Sequence, residues 1–431
     1  MNEAFLQYLW QYRLFDGPLH TTDGSPVEIL APGSANTDAG PDFSDARVRI
    51  GDTLWAGNVE VHIKSSDWIA HHHSDNKAYL NVVLHVVYQF DTPILRPDGQ
   101  PVPTLEVRRS IPESVWNNYE ALLNPPQPME VPCLESWAAI DPMRVHAALD
   151  ALLLERLQRK TSEVRRLLAS SHGNWEQCCY WLLAHYFGGK TNGFAFELLA
   201  KATDLRFLAR WRDNLERTEA ILFGQAGLLD GYFEDDYPRA LQAAYEPLRK
   251  GAGLNPISAH LWKYFRLRPS SFPTLRISQF ARLISNTHSL FSQLLETSDA
   301  EKLRAYFILE ASDYWHDHYR FDQPSKPSRK STGSMFANML VINAWVPLLF
   351  QYGVEHGDEH YKDQALDILH QLPPEDNRIV RLFANAGVCV HDAAQSQALI
   401  QLFNEYCKPH RCLQCRLGYS VINAAEQKSL K

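Results

Sequence analysis

Gly57-Asn58-Val59-Glu60-Val61-His62-Ile63-Lys64 alternates apolar and ionisable side chains with a period of two. That is the period of a β-strand, in which residues i, i+2 and i+4 share a face. Val59, Val61 and Ile63 therefore point into a core, while Glu60, His62 and Lys64 project together from the other face. Three ionisable groups side by side are costly unless they are wet, paired or metal-bound. The stretch predicts a sheet, and a candidate site on that sheet. The plain alternative is a solvated strand face on which Glu60 pairs with Lys64.

Outward from this strand the pattern stays β-like. Ala46-Arg47-Val48-Arg49-Ile50 precedes a Gly51-Asp52 turn and Leu54-Trp55-Ala56, which reads as a hairpin. Val27-Glu28-Ile29-Leu30 is a further short strand. Val82-Val83-Leu84-His85-Val86-Val87-Tyr88 is nearly continuous and β-branched, as a central strand would be, and Thr104-Leu105-Glu106-Val107 reads as the last strand. Ahead of them, Phe5, Leu6, Leu9, Trp10, Tyr12 and Leu14 recur at helical spacing over residues 4–15.

A proline-rich linker follows, Leu123-Asn124-Pro125-Pro126-Gln127-Pro128 through Pro132. Beyond it the period becomes helical. Asp141-Pro142 supplies an N-cap with proline at the first helical position, and Val145, Leu149, Leu152, Leu153 and Leu157 form an apolar stripe. Further helices are predicted at about 174–187, 191–202, 205–223, 236–250, 273–286, 299–317, 332–352, 358–371, 376–386 and 394–406. The expected fold class is α+β. Residues 1–122 form a mixed-sheet domain, 123–137 a linker, and 138–431 a large all-α domain ending in a cysteine cluster.

Composition agrees with this division. A chain of 431 residues that is 45% hydrophobic buries more than one core, because single domains rarely exceed ~250–300 residues. The formal charge of −8 excludes global steering to nucleic acid, so such contact needs a local basic patch. Met1-Asn2-Glu3-Ala4-Phe5 lacks the pattern of a signal peptide. The most apolar stretch, Met339 to Phe350, falls short of the ~20 residues of a membrane span and reads as a buried helix. Seven cysteines, an odd count, do not suit a secreted disulfide framework. A cytoplasmic, membrane-free protein is expected.

Two chemistries suit the N-terminal residues. Asp42, in Gly40-Pro41-Asp42-Phe43, and Glu60 could together hold Mg²⁺ or Mn²⁺, with His62 or Lys64 orienting water for phosphodiester hydrolysis. Alternatively, Asp67, His71, His73 and His85 form a secondary site. With Glu60 and His62 they make a His/carboxylate metal hydrolase, cupin-like in its ligands, conceivable.

Three features lie in the helical region. Arg266, Arg268 and Arg276 frame a helix junction, and Lys326, Arg329 and Lys330 sit on a polar Pro/Ser-rich loop read as mobile. Both could grip nucleic-acid phosphates; the plain reading is ordinary surface charge. Phe187-Gly188-Gly189-Lys190-Thr191 lacks the spacing of a phosphate loop and reads as a helix end. Cys407-x4-Cys412-x2-Cys415 suits zinc or an iron–sulfur cluster, with Cys133 or His410 as fourth ligand, or else three reduced thiols. Cys178-Cys179 reads as core.

The order of a leading helix, Pro41-Asp42, a hairpin and then Glu60 with His62 and Lys64 resembles the PD-(D/E)XK nuclease superfamily. That resemblance implies a restriction-endonuclease-like sheet with Asp42 and Glu60 as metal ligands. It departs at the lysine: Lys64 follows Glu60 by four residues where the pattern has two, and His62 fills that slot. Over nearly the whole chain the sequence resembles the bacterial family DUF2851. The likeness is carried by Gly40-Pro41-Asp42-Phe43, Gly57 to His62, Ser66-Asp67-Trp68, Asn81 to Val87, Leu267 to Pro273 and Cys412 to Gly418. This second resemblance implies membership and no activity. The function expected is a metal-dependent nuclease acting on DNA or RNA. The alternatives are a non-catalytic nucleic-acid- or protein-binding module with a vestigial site, and the His/carboxylate hydrolase.

Overall fold

The computed structural model describes residues 1–36, 38–125 and 129–424. Pro126, Gln127 and Pro128 of the expected linker lie outside the described residues. The chain forms two compact units, one of Met1–Ala148 with Leu402–Lys431, the other of Leu149–Gln401.

The first unit opens on helix α1 (Glu3–Tyr12), capped by Asn2, whose side-chain oxygen accepts the Phe5 N–H at 2.9 Å. Its apolar face buries Phe5, Leu6, Leu9 and Trp10. Seven strands follow: β1 (Leu19–His20), β2 (Pro26–Ala31), β3 (Ser34–Ala35), β4 (Phe43–Ile50), β5 (Thr53–Lys64), β6 (Val82–Gln89) and β7 (Thr104–Glu106). Six run in the order β1-β2-β4-β5-β6-β7, and β3 pairs β4.

The Gly51-Asp52 turn closes β4 onto β5 as an antiparallel hairpin, with Ile50 opposite Thr53. By contrast β5 and β6 are parallel, with Glu60 opposite His85, and β6 and β7 are parallel too. Parallel neighbours need a crossover. The one from β5 to β6 carries a short helix, α2 (Asp67–Ala70), and two further helical turns, and so brings His71 and His73 back over the sheet. A Cβ on Gly57 would lie 2.6 Å from the Asn81 carbonyl oxygen and 2.5 Å from Val83 Cγ1, so only glycine lets β6 approach this closely.

Val82 to Val87 are buried on both faces of the sheet. Val59 and Val61 are buried as expected, yet Glu60 and His62 are buried too, at 4% and 2% exposure. The ionisable face is therefore not a solvated one.

The final segment completes this unit. The Asn423 side-chain N–H donates to the Tyr8 hydroxyl at 2.7 Å, and that of Asn118, in helix α3 (Glu113–Leu123), to the Ile422 carbonyl at 3.0 Å. Residues read from sequence as the end of the helical domain thus group with the sheet unit.

The second unit is helical apart from one small ribbon, His318–Arg320 with Gln323–Pro324. Asp236–Ala252, Pro273–Asn286, Glu359–Gln371 and Arg378–Asn385 match their expected helices closely. The expected 205–223 helix is two, Leu205–Ala209 and Leu215–Gln225, because Asn214 caps a fresh start by accepting the Arg217 N–H. The expected 299–317 helix stops at Tyr306. Trp175–Ala202 breaks at Gly189, which has φ +57°, as the helix-end reading requires. Cys178 and Cys179 are buried. Ser334–His356 is long and apolar enough to cross a membrane by length and composition, and 67% of its apolar window is buried within the protein, as in a core helix.

Candidate metal centre

Four elements of the first unit converge on one cluster. Asp42 stands at the foot of β4, where its Oδ2 accepts the Val61 N–H at 3.0 Å. Its own N–H donates to Glu60 Oε2 at 3.1 Å, so the two carboxylates are locked side by side through the backbone. From α1, Gln7 donates to Asp42 Oδ1 at 2.9 Å. The other Glu60 oxygen, Oε1, lies 3.4 Å from His62 Nε2 and 3.2 Å from His73 Nε2. His62 Nε2 is 3.1 Å from His71 Nδ1. One ligand nitrogen from each of His62, His71 and His73 lies within 4.8 Å of the other two.

His85 supports this set from below. Its Nε2 lies 2.9 Å from His62 Nδ1, and its own Nδ1 is buried without a partner among the described residues. A hydrogen on His62 Nδ1, donated to His85, leaves the lone pair of His62 Nε2 facing Glu60, His71 and His73. Tyr79 stacks on His73 at 3.8 Å, and Trp68 closes the edge against His73 and His85.

Burial dominates the electrostatics. It raises the Glu60 carboxyl to about 8, with the Asp42 charge adding to the effect. It lowers His62 to about 3, reinforced by His73 and His71, His85 to about 3, and His73 to about 4. Burial also raises Asp42. The His62, His73 and His85 imidazoles are thus neutral near pH 7, the form in which histidine ligates. Among the described residues, neither Asp42 nor Glu60 pairs with a lysine or arginine. His62 is buried, His71 exposed and His73 between, so the cluster opens to solvent on one side.

The structure brings the two expected groups into one cluster. Asp42, Glu60 and His62 sit with His71, His73 and His85, and Asp67 acts on His62 through its charge. Lys64 does not join them. Its side chain is exposed, and its charge is felt by Asp91. Sequence reading missed Glu3, Gln7 and Tyr79. Glu3 feels the charges of His71, Asp42 and Asp67, and Tyr79 those of Glu60 and Asp42. Glu3 and Gln7 are four apart on a helix, so their shared face was available as a signal; Tyr79 carried none.

Three of the six basic residues expected to grip phosphates are engaged within the second unit. The Arg276 guanidinium lies 3.6 Å from the Phe336 ring centre, and burial lowers it to about 10. Lys330 is buried, donating to the His316 carbonyl at 2.8 Å, and Arg329 pairs with Glu310. Arg266, Arg268 and Lys326 are exposed. The loop that carries Lys326 is tied down at Ser328, whose N–H donates to the His316 carbonyl at 2.8 Å. Cys133, Cys407, Cys412 and Cys415 are all buried in the first unit, and His410 is exposed.

No curated protein and no solved structure matches this chain. The family described as "Protein of unknown function (DUF2851)" matches over residues 3–378, and the chain belongs to it.

Proposed function

We propose that this member of the DUF2851 family is a metal-dependent hydrolase whose centre is held by His62, His71, His73 and Glu60, with Asp42 beside it. The observation that carries the reading is the convergence of His62, His71 and His73, whose ligand nitrogens lie within 4.8 Å of one another, with one Glu60 oxygen beside two of them. Bonds of ~2.1 Å to a divalent ion place adjacent ligand atoms roughly 3.0–3.4 Å apart. The separations of 3.1, 3.2 and 3.4 Å around His62, His73 and Glu60 fit that spacing. A divalent cation here would supply Lewis acidity and offset the buried Glu60 and half-buried Asp42 carboxylates, neither of which pairs with a lysine or arginine among the described residues.

The chain's own residues supply the rest. His85 fixes the His62 ring, and Asp42 is oriented by the Val61 N–H and by Gln7. The open side at His71 leaves room for water and substrate.

A phosphodiester substrate, and hence the nuclease reading, is favoured by one further observation. Asp42 and Glu60 adjoin beneath a leading helix, as the PD-(D/E)XK pattern implies. His62 stands where that pattern has its lysine, and the neighbouring His71 and His73 favour Zn²⁺ or Mn²⁺ over Mg²⁺.

The test is to deplete the purified chain of metal, titrate it with Zn²⁺, Mn²⁺ or Mg²⁺, and assay labelled DNA, RNA and a chromogenic phosphodiester. About one ion per site is expected. His73→Ala should lose it, and Glu60→Gln should lose hydrolysis with the fold intact. Metal-independent cleavage, or full activity in Glu60→Gln, would overturn the proposal. Metal binding without hydrolysis of any of these substrates would leave the non-catalytic binding module.

A further inference from the structure

We infer that the first unit carries a second ligand site, a cleft for a nucleoside phosphate walled by Arg144, Arg416, Tyr12 and Tyr419. The cleft has a volume of about 350 Å³. That lies within the roughly 300–1,000 Å³ of small-molecule sites. Its lining comes from three places in the sequence: the end of α1, residues 144–148 and residues 414–420. All of these belong to the first unit. None is a residue of the histidine centre, and the inference does not rest on that centre.

Local geometry builds the walls. Tyr8 and Tyr12 are four apart on α1 and share a face, with ring centres 4.9 Å apart. Tyr419, on the helix Arg416–Ile422, meets both, at 4.7 Å from the Tyr12 ring and 6.3 Å from the Tyr8 ring. The end of that helix is held by the bonds from Asn423 to the Tyr8 hydroxyl and from Asn118 to the Ile422 carbonyl. Gly418 lets it seat on the turn before it, because a Cβ there would strike the Cys412 carbonyl oxygen. The backbone that carries Arg416 and Tyr419 is therefore fixed before any ligand arrives.

Charge selects the ligand. Arg144 and Arg416 both line the cleft, and no aspartate or glutamate does. Among the described residues neither arginine makes an ion pair. Arg144 stands in the first turn of the helix Pro142–Ser170, where the helix dipole is unfavourable to a cation. Asp141 caps that turn through the Met143 N–H at 2.9 Å and does not line the cleft. Two guanidinium groups lining one cavity without a carboxylate call for an anion, and their forked N–H donors match phosphate. The aromatic wall calls for a flat ring. Tyr12 is 42% exposed and Tyr419 half-buried beside it, a surface on which a base stacks. Gln414 and Ser420 add polar groups to the same lining. A base joined to a phosphate meets both demands. A free nucleotide and the phosphorylated end of a nucleic-acid strand offer the same chemistry.

The experiment is isothermal titration of the full chain with adenosine monophosphate, adenosine, inorganic phosphate, and a short single-stranded DNA with and without a terminal phosphate. A chelator is present throughout, so that no metal at the histidine centre holds the phosphate. Adenosine monophosphate should saturate a single site and bind at least about tenfold more tightly than adenosine or inorganic phosphate. Arg144→Gln and Arg416→Gln, both at exposed positions, should each weaken it about 10–100-fold. Tyr419→Leu should weaken it about tenfold. His73→Ala should bind as the wild type does, which separates this site from the histidine centre. Tighter binding of the phosphorylated strand than of the nucleotide, with the same loss in Arg416→Gln, identifies a strand end as the ligand; the reverse order identifies the free nucleotide. The proposal is overturned if no probe saturates, if inorganic phosphate binds as tightly as adenosine monophosphate, or if both arginine variants keep full affinity. Loss of binding in a folded His73→Ala variant would overturn it as well.

Discussion

His62 and His85 face each other from adjacent parallel strands, with Nδ1 of the first 2.9 Å from Nε2 of the second. The contact fixes which His62 nitrogen points at Glu60. Replacing His85 with phenylalanine keeps a buried ring but removes the acceptor. Metal affinity at the His62 cluster should fall about 10–100-fold, the usual cost of losing a partner that orients a ligand. Isothermal titration with Zn²⁺ on the folded variant measures it, and unchanged affinity would show that His85 is only core.

Gly57 sets the approach of β6 to β5. Gly57→Ala forces a Cβ against the Asn81 carbonyl, which is backbone and cannot rotate away. The expected cost is about 1–3 kcal/mol, as for other overpacked sites. A urea denaturation midpoint would report it. Because β6 carries His85, metal affinity should weaken in the same variant.

Glu219 gives the second unit a pH dependence. Its carboxylate accepts from the Tyr237 hydroxyl at 2.9 Å and from the Ser278 hydroxyl at 2.5 Å, yet burial raises it to about 7. The folded state therefore holds this proton more tightly than the unfolded chain does. Its contribution is fully present below about 4.5 and is lost as pH rises toward 7. The loss amounts to at most roughly 3 kcal/mol, at 1.36 kcal/mol per pH unit. Thermal melts from pH 4.5 to 8 should show a declining midpoint, and Glu219→Gln should flatten that decline.

Lys330 and Lys326 lie four apart on one loop and should behave differently. Lys330 is buried, its ammonium donating to the His316 carbonyl and lying 4.1 Å from the Tyr319 ring centre. Lys330→Met should cost about 1 kcal/mol, because it removes one of the two hydrogen bonds the His316 carbonyl accepts, the other coming from the Ser328 N–H. Lys326 is exposed, and Lys326→Ala should change stability by less than about 0.5 kcal/mol. Differential scanning fluorimetry on the two variants would separate them.

The sequence by itself determined the parts that local periodicity controls. The two-residue alternation from Val59 to Ile63 and the Gly51-Asp52 turn placed the hairpin, and helical spacing placed Pro273–Asn286 and Glu359–Gln371 almost to the residue. These follow from backbone geometry repeated over neighbouring residues. Helix ends were less legible where a cap such as Asn214 restarted a helix inside an apolar pattern.

The candidate site was legible as a set of residue types and not as a set of contacts. That Asp42, Glu60 and His62 join His71, His73 and His85 depends on the parallel pairing of β5 with β6, and the crossover it requires carries two of those histidines over the sheet. That Lys64 stands apart depends on where β5 ends. The bond from Asn423 to Tyr8, which draws the end of the chain into the sheet unit, joins residues 415 positions apart. No local pattern encodes such a pairing. It exists because burying the faces of α1 and α3 takes another apolar helix, and only the folded chain decides which one supplies it.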